Sequence, residues 1–233
     1  MSKYFNIWTG PSGLKYYDQN AVVWLWNFFL GRGMTVAGVT GLMGNLYVES
    51  HCCPFELEGW EQEYDYCYEQ LINVIRYYNR DQFRTRTYKY GTKKGFGLAQ
   101  WTYPTRKNDL WDWDYARAGN TYPTMLGDMV SDAEFLVHEM QTGYPGVWNV
   151  LTTSNDVRTC SNKVLHDFES PEDQSTAVEI SRYNYSLRVA QDLGGITPPP
   201  VPPGPGPTPD PPTPDPPGHP GIPVWMLFKM KGE

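Results

Sequence analysis

The sequence has few cysteines and no long apolar run, and each shortage excludes a class of protein. Its four cysteines, Cys52, Cys53, Cys67 and Cys160, contain no CxxC pair. So few cysteines do not build a disulfide scaffold, and their spacing does not match a structural zinc site. The longest apolar stretch, AVVWLWNFFL at 21–30, has ten residues, whereas a membrane-spanning helix needs about 20. We therefore expect no membrane span, no metal and no cofactor.

Positive charge is also scarce. The sequence has 19 lysines and arginines but 26 aspartates and glutamates, which gives a formal net charge of −7. Nucleic-acid-binding proteins carry basic patches, and polybasic segments attract proteins to anionic membranes, so neither partner is expected. No charged segment leads into an apolar run and a small-residue cleavage site, so we also expect no signal peptide. The protein is then made in a cytoplasm and leaves it, if at all, through lysis or packaging.

Apolar and aromatic side chains are plentiful, at 40% and 15% of the residues, which is enough for a sizeable core. A 3.6-residue periodicity predicts a mainly α (α+β) domain over residues 20–195, after an N-terminal arm at 1–19. Residues 81–102 predict a small β or loop element. Helices are predicted at 21–31 after an Asn20 cap, at 36–49 after a Thr35 cap, and at 62–80, 105–118, 126–142, 156–168 and 174–193.

Prolines concentrate near the C-terminal end, where 15 of the 27 residues at 197–223 are proline. Each proline fixes φ and removes a backbone donor, so we predict an extended Pro-rich linker over 196–223. The segment after it, VWMLFKMKGE at 224–233, is predicted to form an apolar plug. A linker that leads to only ten residues does not join two domains, which indicates a tether to a partner. A flexible linker is the alternative.

A lone acid, Glu49, lies at the end of the second predicted helix, in NLYVES at 45–50. The helix dipole is negative there, and Leu42 and Leu46 would add desolvation, so we expect a carboxyl group that holds its proton unusually well. Such an acid can protonate a glycosidic oxygen. A surface glutamate at a frayed helix end is the alternative. On a neighbouring face of this helix, Gly38, Gly41 and Gly44 form a stripe that permits close helix packing.

A second motif, GFGLAQWT at 95–102, combines glycines with Gln100 and Trp101. Glycines let a backbone approach a ligand closely, the Gln100 amide can both donate and accept, and the Trp101 ring can stack on a sugar. Thr102 and Tyr103 continue the motif, and we expect them to touch sugar as well. The alternatives are a satisfied buried amide for Gln100 and core packing for Trp101.

Together the two motifs resemble the phage tail lysozyme family over about residues 20–193, and more loosely goose-type lysozymes and lytic transglycosylases. The later stretches FLVHEM, DFESP and SRYNYSLRVA also match in order. The pattern is carried by Gly44, Asn45, Leu46, Glu49, Ser50, Pro54, Gly95, Gly97, Ala99, Gln100, Trp101 and Arg106. The resemblance implies a lysozyme-like helical fold that cleaves the glycan strands of peptidoglycan, with Glu49 as the general acid.

The second carboxylate is left open. A carboxyl separation of about 5 Å would indicate retention of configuration, and one of about 6.5–9.5 Å inversion. Glu58 has a plausible spacing and is our candidate, while a solvated acidic loop and catalysis by Glu49 alone are the alternatives. The acids that follow the helix closely are Glu56, Glu58, Glu61, Glu63 and Asp65.

The resemblance leads to a virion-associated muramidase that cleaves the β-1,4 bond between N-acetylmuramic acid and N-acetylglucosamine as a phage tail enters the cell wall. Its expected partners are peptidoglycan and, through the Pro-rich tail, other tail proteins. A lytic transglycosylase, a free endolysin and a glycan-binding tail component without activity are the alternatives.

Overall fold

The computed structural model describes residues 2–59, 62–77, 79–85, 95–119 and 125–194. These residues are mostly helical, as the sequence predicts, and none of their helices is long and apolar enough to cross a membrane. The predicted Pro-rich linker at 196–223 and apolar plug at 224–233 lie outside the described residues.

The chain begins with a short antiparallel hairpin, and helices follow it through the rest of the described residues. A π-helical segment, Val164–Glu169, continues directly from α8. The elements in chain order are β1 (Trp8–Thr9), β2 (Lys15–Tyr16), α1 (Gln19–Gly31), α2 (Val36–Ser50), α3 (Tyr64–Tyr77), α4 (Arg80–Thr85), α5 (Pro104–Arg117), α6 (Met129–Gly143), α7 (Pro145–Thr153), α8 (Val157–Lys163) and α9 (Thr176–Leu193).

Helix starts follow local capping chemistry. The predicted Thr35 cap of α2 is confirmed, because its side chain accepts a hydrogen bond from the Gly38 backbone N–H. The predicted Asn20 cap of α1 is wrong. Asp18 caps that helix instead, by accepting from the Ala21 N–H, so α1 begins at Gln19.

Two helices and the hairpin depart from the sequence prediction. The expected β or loop element at 81–102 is wrong at its start, where α4 forms. Asn79 and Gln82 stabilise that helix start with reciprocal backbone-to-side-chain hydrogen bonds of 2.9 Å. Helix α7, which begins with Pro145, is not predicted either. The hairpin β1–β2 lies within the N-terminal arm at 1–19, where the sequence analysis predicts no strand.

Helix α2 is the central element of the core and is buried from Ala37 to Tyr47. The prediction that its glycine stripe permits close packing is confirmed. A Cβ atom added to any of the three glycines would lie closer than 3.0 Å to the backbone of a neighbouring helix. The backbones met are those of α7 at Leu151 for Gly38, α8 at Ser161 for Gly41, and α9 at Ser186 for Gly44.

We expect Gly44→Ala to destabilise the protein by about 1–3 kcal/mol or more, because the added methyl meets the backbone of α9 at Ser186 as well as the Ser186 hydroxyl group. Urea unfolding measures the effect. The matched control is Gly143→Ala at the exposed end of α6, where an added Cβ has no atom within 4 Å and better helix propensity is worth about 0.5–1 kcal/mol. Equal unfolding midpoints for the two variants would contradict the packing account.

Candidate active site

Two polar residues of the first motif hold the end of α2 in place. The Asn45 amide nitrogen donates to the carbonyl oxygens of Gly41 at 2.9 Å and Ser161 at 3.1 Å, which ties α2 to α8. The Ser50 hydroxyl donates to the Leu98 carbonyl oxygen at 2.8 Å, which ties α2 to the second motif. The motif therefore fixes the backbone on both sides of Glu49.

The second motif forms a tight turn beside that helix end. Phe96 pairs with Leu57 in an isolated antiparallel bridge, and the Gly97 N–H donates to the Glu56 carbonyl oxygen at 3.0 Å. Gly97 has a φ of +74°, and a Cβ there would lie 2.9 Å from a carboxyl oxygen of Asp132. Only glycine fits this position without strain.

Trp101 belongs to the core. It is fully buried, and its ring packs against Phe135 with the ring centroids 5.4 Å apart. Its indole N–H donates to the Glu139 carboxylate at 3.0 Å. The structure therefore shows core packing, the alternative that the sequence left open, and the ring presents no free face on which a sugar could stack.

The other three predicted substrate-binding residues have different surroundings. The Gln100 amide nitrogen donates to the carbonyl oxygens of Glu56 and Gly97, so it stabilises the turn. The Thr102 hydroxyl donates to the Gln100 carbonyl oxygen at 2.9 Å. Tyr103 is 67% exposed, and of the four residues it is the one most open to a ligand.

Arg106, the arginine of the family pattern, joins α5 to α6. Its Nε and Nη2 atoms donate to the two carboxylate oxygens of Glu139 at 2.5 and 2.8 Å. Such paired bonds are the strongest form of arginine–carboxylate contact. The guanidinium also lies 4.6 Å from the centroid of the Phe168 ring. The charge of Arg106 is thus already balanced by Glu139.

Glu49 contacts a second arginine, Arg182 of α9. The Arg182 Nη2 atom donates to Glu49 Oε1, and Nη1 donates to the Asn45 carbonyl oxygen at 3.0 Å. The Arg182 side chain is 8% exposed and that of Glu49 is 20% exposed. The dipole of α2 and the Arg182 guanidinium therefore act on the Glu49 carboxyl group in opposite directions.

Glu169 is a second carboxyl group near Glu49, at the end of the π-helical segment. Its Oε1 atom is buried and has no hydrogen-bond partner in the described part of the chain. Burial raises the pKa of Glu169 well above its ordinary value, and the negative charge of Glu49 adds to the effect. Arg106 and Arg182 oppose this shift. The surroundings of Glu169 therefore favour its neutral, protonated form.

The sequence motifs do not single out Glu169, although it lies within the matching stretch DFESP at 167–171. Helical periodicity predicts an ordinary helix that ends at 168, so it leaves Glu169 beyond the last turn. The wider π turn at 164–169 carries this residue to its observed place. Such turns occur often at functional sites, but periodicity does not reveal them.

Glu58 and His51 make contacts away from the Glu49 carboxyl group. Glu58, the predicted second carboxylate, is exposed and accepts a hydrogen bond from the Gly95 N–H at 2.7 Å, which stabilises the turn. The His51 Nδ1 atom lies 2.7 Å from a carboxylate oxygen of Glu56.

A mainly helical domain with two neighbouring carboxyl groups in unlike surroundings is typical of the glycoside hydrolases that work by acid–base catalysis. A sequence model of the phage tail lysozyme family matches residues 21–191, and the chain belongs to this family. Family membership implies a lysozyme-like peptidoglycan hydrolase of a phage. No curated protein matches the sequence significantly. In the described part of the chain, no cluster of three or more histidine, cysteine or acidic side chains could hold a metal ion.

Proposed function

We propose that the protein is a virion-associated muramidase that cleaves the β-1,4 bond between N-acetylmuramic acid and N-acetylglucosamine, with Glu49 as the general acid. The cluster of Glu49, Arg182 and Glu169 is the observation that carries this proposal. It lies within the part of the chain that matches the family. It combines the partly exposed Glu49, which contacts the Arg182 guanidinium, with Glu169, whose Oε1 atom is buried without a partner.

We infer that the cluster retains one proton, carried by one or the other of its two carboxyl groups. Arg106 also acts on Glu169, but its charge is balanced by Glu139, so Arg182 is the one cation in excess beside the pair. Two ionised carboxylates would leave an uncompensated negative charge in a poorly solvated place, whereas one retained proton makes the cluster neutral.

Glu49 is the member that delivers the proton, because its side chain is open to solvent while an oxygen of Glu169 is buried. The proton passes to the glycosidic oxygen as the bond from that oxygen to the anomeric carbon breaks. Water then supplies the oxygen for the anomeric carbon, and one of its protons returns to the pair. Glu169 acts through Glu49 as a positioning residue, and we assign this role to it rather than to Glu58.

We expect Glu49→Gln to lower the rate of glycan cleavage by about 10²–10⁴-fold, the usual contribution of a general acid. The matched control is Glu58→Gln, which should keep most of the activity. Release of reducing ends from purified peptidoglycan measures the rate, and mass spectrometry should show one added water per cleavage. Full activity of Glu49→Gln would contradict the assignment, and anhydro products would identify a transglycosylase instead.

We expect Glu169→Gln to move the alkaline limb of the pH–rate profile to lower pH. In the wild type, repulsion between two carboxylates keeps one proton on the pair as the pH rises. Without that repulsion, Glu49 beside Arg182 loses the catalytic proton earlier. A purely structural role for Glu169 would lower the rate equally at every pH and leave the limb in place, which would contradict the shared-proton mechanism.

The virion location rests on the family, whose description is that of a phage tail lysozyme, and on the predicted linker at 196–223 and plug at 224–233. We expect mass spectrometry of purified phage particles to find the protein, and removal of 224–233 to lower its copy number there. Its absence from particles, with activity only in the lysate, would indicate a free endolysin.

A further inference from the structure

A pocket lies beside the end of α2, on a different side of the helix from Glu49. It has a volume of about 280 Å³, and Tyr47 of α2 lines it. Tyr47 and Glu49 are two residues apart on the helix, which turns their side chains roughly 200° from each other. The pocket and the Glu49 carboxyl group are therefore separated by about one helix width, roughly 10 Å.

Aromatic rings form one wall of this pocket. The rings of Tyr47 and Tyr185 stack with their centroids 5.5 Å apart, and the His51 ring meets Tyr47 edge-on at 5.0 Å. Contact between His51 and Glu56 holds the imidazole in place. Tyr47 is itself buried, so the partly exposed rings of Tyr185 and His51 are the ones that small apolar groups of a ligand can contact.

Two cations without carboxylate partners line the same pocket. Most lysine and arginine side chains of the described residues form ion pairs, but Lys15 and Arg188 form none with any described carboxylate. Arg188 donates to the Ser12 carbonyl oxygen at 3.0 Å and lies 5.6 Å from the centroid of the Tyr185 ring. Lys15 is exposed. In a chain of net charge −7, this local positive charge favours an anionic ligand.

We propose that the pocket binds a carboxylate of the peptide that branches from the glycan strand of peptidoglycan. The identity of this ligand rests on the proposed function. Wall peptides present carboxylates next to small apolar side chains, and the pocket offers two cations next to aromatic faces. Gln62, which also lines it, adds an amide for peptide groups. A simple inorganic anion would need the cations but not the aromatic wall.

A peptide held here would fix the strand about one helix width from Glu49. Contact of this kind is the same in the ground state and the transition state, so it lowers KM and leaves kcat unchanged. The two sides of the end of α2 then act on different parts of the substrate. Glu49 serves the glycosidic bond, and Tyr47 forms part of the anchor for the branch.

The test is calorimetric titration of the full-length protein with a synthetic tetrapeptide of wall composition, and with the same peptide after amidation of its carboxylates. Arg188→Gln and Lys15→Gln should each weaken binding of the free peptide by about tenfold, or about 1.4 kcal/mol. The matched control is Arg158→Gln, which removes an arginine 5.9 Å from the Tyr183 ring centroid, outside the pocket. It should bind like the wild type.

The proposal is overturned if the wild type binds the free and amidated peptides equally, or if the pocket variants bind like the control. Displacement of the peptide by an equal concentration of inorganic phosphate would also overturn it, since the pocket would then recognise any anion. Cleavage of glycan strands stripped of peptide separates this proposal from the proposed function. If the protein binds the peptide but cleaves no glycan, the peptide site stands and the muramidase assignment is wrong. If it cleaves glycan but does not bind the peptide, the muramidase assignment stands and the peptide site is wrong.

Discussion

Direct backbone contact between α2 and three later helices is the constraint on which the rest of the structure depends. Gly38, Gly41 and Gly44 leave no room for a methyl group against α7, α8 and α9. Because α8 lies this close, Asn45 reaches a carbonyl of that helix, and because α9 does, Arg182 reaches Glu49. The packing of the core and the geometry of the site therefore depend on the same helix contacts. A change that pushes α9 outward would remove the charge partner of Glu49 before it disturbed the Glu49 backbone.

Charge balance explains why the site contains two arginines. Arg106 is occupied by Glu139, whose other contact is the indole of Trp101, so this group supports the scaffold. Arg182 faces the pair of Glu49 and Glu169. One guanidinium and two carboxyl groups leave room for one proton, which is the reagent that cleavage of a glycosidic bond requires. The function we propose rests on that imbalance, and the peptide site that we propose beside Tyr47 would extend recognition to the branch of the same substrate.

The sequence predicts the parts of this account that are local. The Thr35 cap, the helical course of 36–49 and the glycine stripe follow from spacing alone, and the ordered motifs indicate the family. The sequence does not predict contacts between residues that are far apart in the chain, such as the contact of Arg182 with Glu49 across 133 positions. Glu169 is missed because a π turn breaks the helical period. Trp101 shows a different limit, because the sequence of a motif predicted to bind sugar does not reveal whether an aromatic ring in it is exposed or buried.

The most direct test of the central claim is a crystal structure of the Glu49→Gln variant with a bound peptidoglycan tetrasaccharide. The account predicts that the glycosidic oxygen to be cleaved lies within about 2.6–3.2 Å of the amide introduced at position 49, the range for proton transfer. Glu169 should lie behind that amide and Arg182 beside it. A saccharide whose central glycosidic oxygen instead contacts Glu58, or that binds away from the end of α2, would contradict the account.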